Sequence, residues 1–88
     1  MCAACPDTVT LMMPDGLPYT AGDVLTCSSN GYPAPTYEWT VNGVDSSTTS
    51  MQALQEGDHV YECTATVTFS GGMTCFQTGT AAVAAYSK

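Results

Sequence analysis

The chain has almost no basic residues. Lys88 is the only lysine or arginine among 88 residues, whereas eight residues are acidic, so the formal net charge is −7. Nucleic acids and anionic membrane surfaces attract positive charge, so the sequence argues against both as partners. Only 10% of the residues are charged, and threonine, serine, glycine and alanine abound instead. A surface solubilised by hydroxyls more than by ions favours a secreted β protein over a cytosolic enzyme.

Several segments that would indicate other classes of protein are also lacking. No apolar run approaches the roughly 20 residues that a membrane-spanning helix needs, and no signal peptide is recognisable. We therefore expect Met1 to be an expression start and the chain to be an ectodomain fragment, with any membrane anchor outside it. No Asn-x-Ser/Thr motif occurs, so N-glycosylation is not expected.

Residues that would support catalysis are few. His59 is the only histidine, and its place before Tyr61 on an alternating segment predicts a solvated ring that faces outward. Glu56 and Asp58 lie in a polar corner, and Gly71-Gly72 is typical of a hairpin turn rather than a phosphate-binding loop. We therefore expect no enzymatic activity, no cofactor and no bound metal.

Alternation of apolar and polar residues predicts strands along most of the chain. The inward-facing residues of the clearest segments are Leu25 and Cys27, then Tyr37, Trp39 and Val41, and then Tyr61, Cys63, Ala65 and Val67. Asn42-Gly43 is a strong hairpin signal, and no stretch has a helical period. About seven short strands at this spacing predict an all-β sandwich of two antiparallel sheets. The chain is then a single domain over 1–88, with an N-terminal segment 1–6 and a core 7–86.

A spaced series of residues makes the prediction more specific. Cys27 is followed by Gly31, Pro33, Pro35 and Trp39, and later by Tyr61-Glu62-Cys63. This series resembles immunoglobulin-superfamily domains of the intermediate or constant-2 sets, which occur in adhesion molecules and immune receptors. The resemblance covers roughly residues 7–86 and implies a Greek-key topology. Thirty-five residues lie between Cys27 and Cys63, too few for the two additional strands of variable-type domains.

The resemblance assigns core roles to Leu25, Cys27, Trp39, Tyr61 and Cys63. It implies a disulfide between the two cysteines, which joins the sheets, with the tryptophan packed over it. It also implies that the Tyr61 hydroxyl bonds back to the backbone at the preceding corner and satisfies a carbonyl there. Such families usually place an aspartate four residues before this tyrosine, where this chain has Gly57, so the usual carboxylate contact is not expected.

Three further cysteines stand at positions 2, 5 and 75. In the domains that the chain resembles, the first strand runs parallel to the last, so both begin at the same end. This topology implies a second disulfide between Cys5 and Cys75, with Cys2–Cys75 as the alternative. The remaining cysteine would form an intermolecular bond, have lost its partner on truncation, or be a free thiol. A zinc site or redox pair at Cys2-Ala-Ala-Cys5, with His59 and Cys75 as the candidates for the two further zinc ligands, is the less favoured interpretation.

Loops at one end of the predicted sandwich form the candidate binding surface. The segments 28–36 and 70–74 are expected to lie close together there, with Phe76 nearby. The candidate partner-binding residues are Tyr32, Pro33, Pro35 and Met73. Aromatic and apolar side chains bury much area at low entropic cost, and prolines stiffen a loop before binding.

The resemblance implies a non-enzymatic extracellular domain of a receptor or adhesion protein that recognises protein ligands. The alternative is a constant-like spacer or dimerisation domain that positions a neighbouring variable-type domain. The expected partners are a protein ligand, a second copy of the chain, or neighbouring domains of a larger ectodomain.

Overall fold

The computed structural model describes residues 4–14 and 16–87, which form seven strands in two antiparallel sheets packed face to face. The strands are β1 (Val9–Met12), β2 (Val24–Ser29), β3 (Thr36–Val41), β4 (Val44–Asp45), β5 (Met51–Ala53), β6 (Gly57–Thr68) and β7 (Thr74–Ala85). One sheet has the order β1-β2-β5 and the other β4-β3-β6-β7. The predicted all-β sandwich is confirmed. No helix long and apolar enough to cross a membrane occurs in the described part of the chain.

The hairpin between β3 and β4 follows directly from its turn residues. Asn42 has a φ of 52° and Gly43 a φ of 84°. Positive φ at both central positions is the signature of a type I′ turn, whose twist matches that of the flanking strands. Thr40 consequently pairs with Asp45 on the short strand β4.

The core lies between the sheets and takes alternate residues from β2, β3, β6 and β7, together with Leu54 just after β5. Its buried members are Leu25, Cys27, Trp39, Val41, Leu54, Tyr61, Cys63, Val83 and Ala85. A disulfide between Cys27 on β2 and Cys63 on β6 joins the two sheets, with a Cα–Cα distance of 6.5 Å. Trp39, Tyr61 and Leu25 are fully buried in this interior, where the sequence predicts them.

The corner before β6 differs in one respect from the expectation. The Tyr61 hydroxyl does bond to the backbone, but it accepts a hydrogen bond of 2.8 Å from the Gln55 N–H. The prediction that it satisfies a carbonyl is wrong, because the group that this hydroxyl reaches at the corner is a donor. Gly57, four residues before Tyr61, pairs with Ala85 at the start of β6.

Tyr61→Phe is expected to lower the free energy of unfolding by about 1–2 kcal/mol, because the Gln55 N–H loses its acceptor at a partly buried corner. Tyr37→Phe is the matched control, since that hydroxyl takes part in no hydrogen bond to the described residues. Urea unfolding of the two variants measures the difference. Equal stability of both variants would contradict a structural role for the Tyr61 hydroxyl.

His59 is partly buried rather than exposed, which corrects the prediction of an outward-facing ring. Residues two apart on a strand share a face, so His59 lies on the side of Tyr61, with the ring centroids 6.2 Å apart. Its Nε2 donates to the carbonyl of Glu56 at 2.8 Å, and its Nδ1 accepts from the Asn42 amide at 2.7 Å. The Asn42 Oδ1 accepts the Val60 N–H at 2.9 Å, which orients the amide.

Candidate functional site at the loop end

Three segments of the described chain converge at one end of the sandwich: residues 4–8, the loop 30–35, and the hairpin 69–73 between β6 and β7. Ala4 and Tyr32 exchange two backbone hydrogen bonds of 2.8 and 3.0 Å. This pairing attaches the N-terminal segment to the loop between β2 and β3. We call these segments, together with the start of β7, the loop end.

The side chain of Asn30 makes hydrogen bonds to the N-terminal segment a few residues after Ala4. Its Oδ1 accepts hydrogen bonds from the backbone N–H groups of Asp7 at 2.8 Å and Thr8 at 3.3 Å. Pro6 is fully buried beside them. Sequence reasoning missed both residues, because an isolated asparagine and proline carry no signal of a contact made more than twenty residues away.

A disulfide between Cys5 and Cys75 ties the N-terminal segment to β7, with the Cα atoms 5.7 Å apart. The predicted second bridge is therefore present, and Cys2, the alternative partner, lies outside the described residues. The route to the bridge differs from the predicted one. Strand β1 lies beside β7, with Val9 and Leu11 close to Gly79, but it forms its hydrogen-bonded ladder antiparallel with β2. The hydrogen-bonded parallel contact with the last strand is an isolated bridge between Thr20 and Tyr86.

Gly31 permits the close packing at this end. Its φ is 128°, and a Cβ added there would lie 2.8 Å from Val67 Cγ2 and 3.3 Å from the Ala4 carbonyl oxygen. Any side chain would therefore meet both the core and the N-terminal segment. The glycine that follows Cys27 in the sequence series thus has an architectural role.

Gly31→Ala is expected to lower the free energy of unfolding by about 2–3 kcal/mol, because unfavourable φ and overpacking act together. Gly71→Ala is the matched control, since Gly71 also has a positive φ, of 94°, but nothing lies within 4 Å of an added Cβ. Thermal and urea unfolding should show a clearly smaller loss for the control. Equal losses would indicate that backbone conformation alone matters at position 31.

Large apolar side chains are exposed on this fixed backbone. Tyr32 is 44% exposed, Met73 70% and Phe76 65%. Pro33 is exposed and Pro35 is half-buried in the same loop as Tyr32. The hairpin that carries Met73 is closed by a hydrogen bond of 2.7 Å from the Phe69 N–H to the Met73 carbonyl. The structure thus brings the predicted partner-binding residues to one end, with Phe76, which was expected nearby, on the outer face of β7.

The more concave surfaces lie at the opposite end of the sandwich. A groove of about 350 Å³ is lined by Asp58, His59, Val60, Ala82, Val83 and Ala84. A neighbouring groove of about 670 Å³ shares Asp58 and adds exposed apolar residues such as Leu17 and Tyr86. Both ring nitrogens of His59, which lines the first groove, are hydrogen-bonded, to the Asn42 amide and to the Glu56 carbonyl.

The middle rows of the outer face of the larger sheet are lined by hydroxyls and carboxylates. Strand register places Glu38, Thr64 and Thr78 in one row and Thr40, Glu62 and Thr80 in the next. The Thr64 and Thr78 hydroxyls lie 3.2 Å apart and are hydrogen-bonded. Within residues 4–14 and 16–87, no group of three or more histidine, cysteine or acidic side chains is arranged to hold a metal ion.

Comparison of the chain with protein-family models, with curated proteins and with solved structures finds no match. Function is therefore inferred from the geometry of the described residues and from the sequence pattern.

Proposed function

We propose that the chain is an extracellular immunoglobulin-type recognition domain of a receptor or adhesion protein. Three features support this: the Cys27–Cys63 bridge between the sheets, the buried Trp39 in the same core, and the hydroxyl of Tyr61 bonded at the corner. The two disulfides of the described residues indicate an oxidising compartment, as is usual for small secreted domains. This environment fits a secreted protein or the ectodomain of a cell-surface protein.

The single observation that carries the proposed binding function is the construction of the loop end. Tyr32, Met73 and Phe76 are exposed on a backbone held by the Cys5–Cys75 disulfide and by the paired hydrogen bonds of Ala4. Apolar anchors on a preorganised backbone lose little entropy on binding, which is how interface hot spots are built. The net charge of −7 favours a protein ligand whose rim is basic.

A multimerised form of the domain, screened against an array of extracellular protein domains, tests this proposal. We expect at least one ligand, and we expect the variant Tyr32→Ser/Met73→Ser/Phe76→Ser to bind it at least about tenfold more weakly. Met12→Ser/Met51→Ser is the matched control. These methionines are similarly exposed but lie on the outer face of the other sheet, flanking Thr26. The absence of any ligand, or an equal loss in both variants, would refute the proposed site.

A structural role is the second candidate. Two adjacent rows on the outer face of the larger sheet, Glu38–Thr64–Thr78 and Thr40–Glu62–Thr80, consist of polar residues alone, as is suitable for a constant-like spacer. Under that hypothesis, the array would return no ligand, and the loop-end variant would behave as the wild-type domain does.

A further inference from the structure

The outer face of the larger sheet becomes apolar toward the start of β6 and the end of β7. Burial alternates along both strands here, and the outward-facing positions pair Val60 with Ala82 and Asp58 with Ala84. Val60 is 46% exposed, and both alanines are exposed. Apolar side chains on the outside of a sheet gain nothing from the core of their own domain, so a contact with another molecule is the remaining way to bury them.

Small side chains on β7 make this surface concave. Ala82 and Ala84 line the groove of about 350 Å³ together with Asp58 and Val60, whose larger side chains stand beside them on β6. We call this surface the alanine groove. A side chain of a partner can enter it and contact the alanines without any rearrangement of the sheet.

The apolar surface continues beyond the alanine groove. The adjoining groove shares Asp58 and Ala84, and it adds Leu17 and Tyr86, which are 78% and 66% exposed. The backbone N–H and C=O of Tyr86 are both hydrogen-bonded to residues 19–21, at 2.9 and 2.8 Å. Large apolar side chains that are exposed together on an ordered backbone mark interaction sites.

Two carboxylates flank the exposed Val60. Asp58, Val60 and Glu62 project from the same face of β6, because residues two apart on a strand share a face. The rise of a strand separates Asp58 from Glu62 by about 13 Å. The described part of the chain contains no lysine or arginine that could neutralise either carboxylate. The groove therefore offers an apolar contact between two unneutralised negative charges.

We propose that the alanine groove binds a basic, extended segment of a partner protein, in which two arginine or lysine side chains four positions apart flank an apolar side chain. In an extended segment, these three side chains share a face, and the outer two are about 13 Å apart. Both cations can then reach a carboxylate while the middle side chain contacts Val60 and Ala82. Charge complementarity selects this partner, because a chain of net charge −7 attracts cations and repels acidic molecules.

NMR titration of the isotopically labelled domain with a synthetic peptide tests the proposal. The probe is the peptide GRTFTRG with blocked ends, and GTRRTFG is its control, with the same composition but adjacent arginines. We expect the probe to shift the backbone amide signals of Val60, Ala82 and Ala84 saturably at millimolar concentration or below. The control should bind at least about threefold more weakly, and added salt should weaken binding of the probe.

Substitution of the two carboxylates locates the contact. Asp58→Asn/Glu62→Gln is expected to raise the dissociation constant of the probe at least about fivefold at low salt, because both cations lose their partners. Asp7→Asn/Glu38→Gln is the matched control. It removes the same number of negative charges from positions that do not line the groove, and it should change the dissociation constant by less than about twofold.

The variant Tyr32→Ser/Met73→Ser/Phe76→Ser should bind the probe as the parent does, so the alanine groove and the loop end are tested separately. The absence of saturable shifts at millimolar peptide, shifts confined to the loop end, or equal binding of the two peptides would overturn the proposal. Equal losses in the two carboxylate variants would also overturn it, because they would show attraction to the net charge alone.

Discussion

Trp39→Ala is expected to lower the free energy of unfolding by about 3–5 kcal/mol, a large fraction of the roughly 5–15 kcal/mol that holds a typical domain folded. Trp39 is fully buried between the sheets, in the core that contains the Cys27–Cys63 disulfide. Truncation there removes a large apolar surface and leaves a cavity bounded by two rigid sheets, which cannot collapse into it. Urea unfolding followed by circular dichroism measures the loss.

Trp39→Phe separates the contribution of volume from that of the indole N–H. The Trp39 Nε1 is buried and has no hydrogen-bond partner among the described residues, and a buried unpaired donor is unfavourable. Phenylalanine removes this donor while it keeps most of the ring, so we expect less than half the loss of the alanine variant. Equal losses of unfolding free energy for the two variants would show that the volume of the indole ring is not what stabilises the fold. Val44→Ala, at an exposed position, should change stability by no more than about 0.5 kcal/mol.

Removal of the core bridge by Cys27→Ala/Cys63→Ala should lower the free energy of unfolding by about 4 kcal/mol. The bridge closes a loop with a sequence separation of 36 residues, and its loss frees the unfolded chain. Both sulfurs also belong to the buried core, so the substitution adds small cavities to the entropic effect. We expect a variant that is unfolded or marginally folded at 37 °C.

Cys5→Ala/Cys75→Ala is the matched control for the core bridge. Neither of these residues is buried, so their removal leaves no core cavity, although the bridge closes a longer loop, with a sequence separation of 70, and its entropic loss is also about 4 kcal/mol. Hydrogen exchange should be faster at the N–H groups of Ala4 and Tyr32, each of which donates to the other's carbonyl, while β6 stays the better protected. Global loss of protection in this variant would mean that the N-terminal segment is part of the core.

Much of the fold could be predicted because its strands alternate clearly. The period of two in β2, β3 and β6 is enough to identify Leu25, Trp39 and Tyr61 as core residues from the sequence alone. The same period places His59 on the face of Tyr61, two positions away, so the expectation of an outward-facing ring conflicts with the pattern itself. The hairpin at Asn42 was predictable because so few dipeptides favour positive φ at both positions.

The remaining features depend on contacts that a local pattern does not encode. Segment 46–54 forms one three-residue strand, β5, and the Ser47 and Thr49 hydroxyls bond to the backbone of its first residue, Met51. The direction of the Tyr61 hydroxyl bond depends on which backbone group the corner leaves free. The hydrogen bond between Asn30 and the N-terminal segment forms only when residues more than twenty positions apart in the sequence come together.

The pairing of Cys5 with Cys75 is the feature on which the loop-end site depends, and peptide mapping of the unreduced protein tests it most directly. Cyanogen bromide cleaves after methionine and yields the cysteine-containing fragments 2–12, 14–51, 52–73 and 74–88. We predict that 14–51 is linked to 52–73 and that 2–12 is linked to 74–88, the latter also in a Cys2→Ser variant. An unlinked fragment 74–88, or a link that Cys2→Ser abolishes, would contradict the proposed loop end.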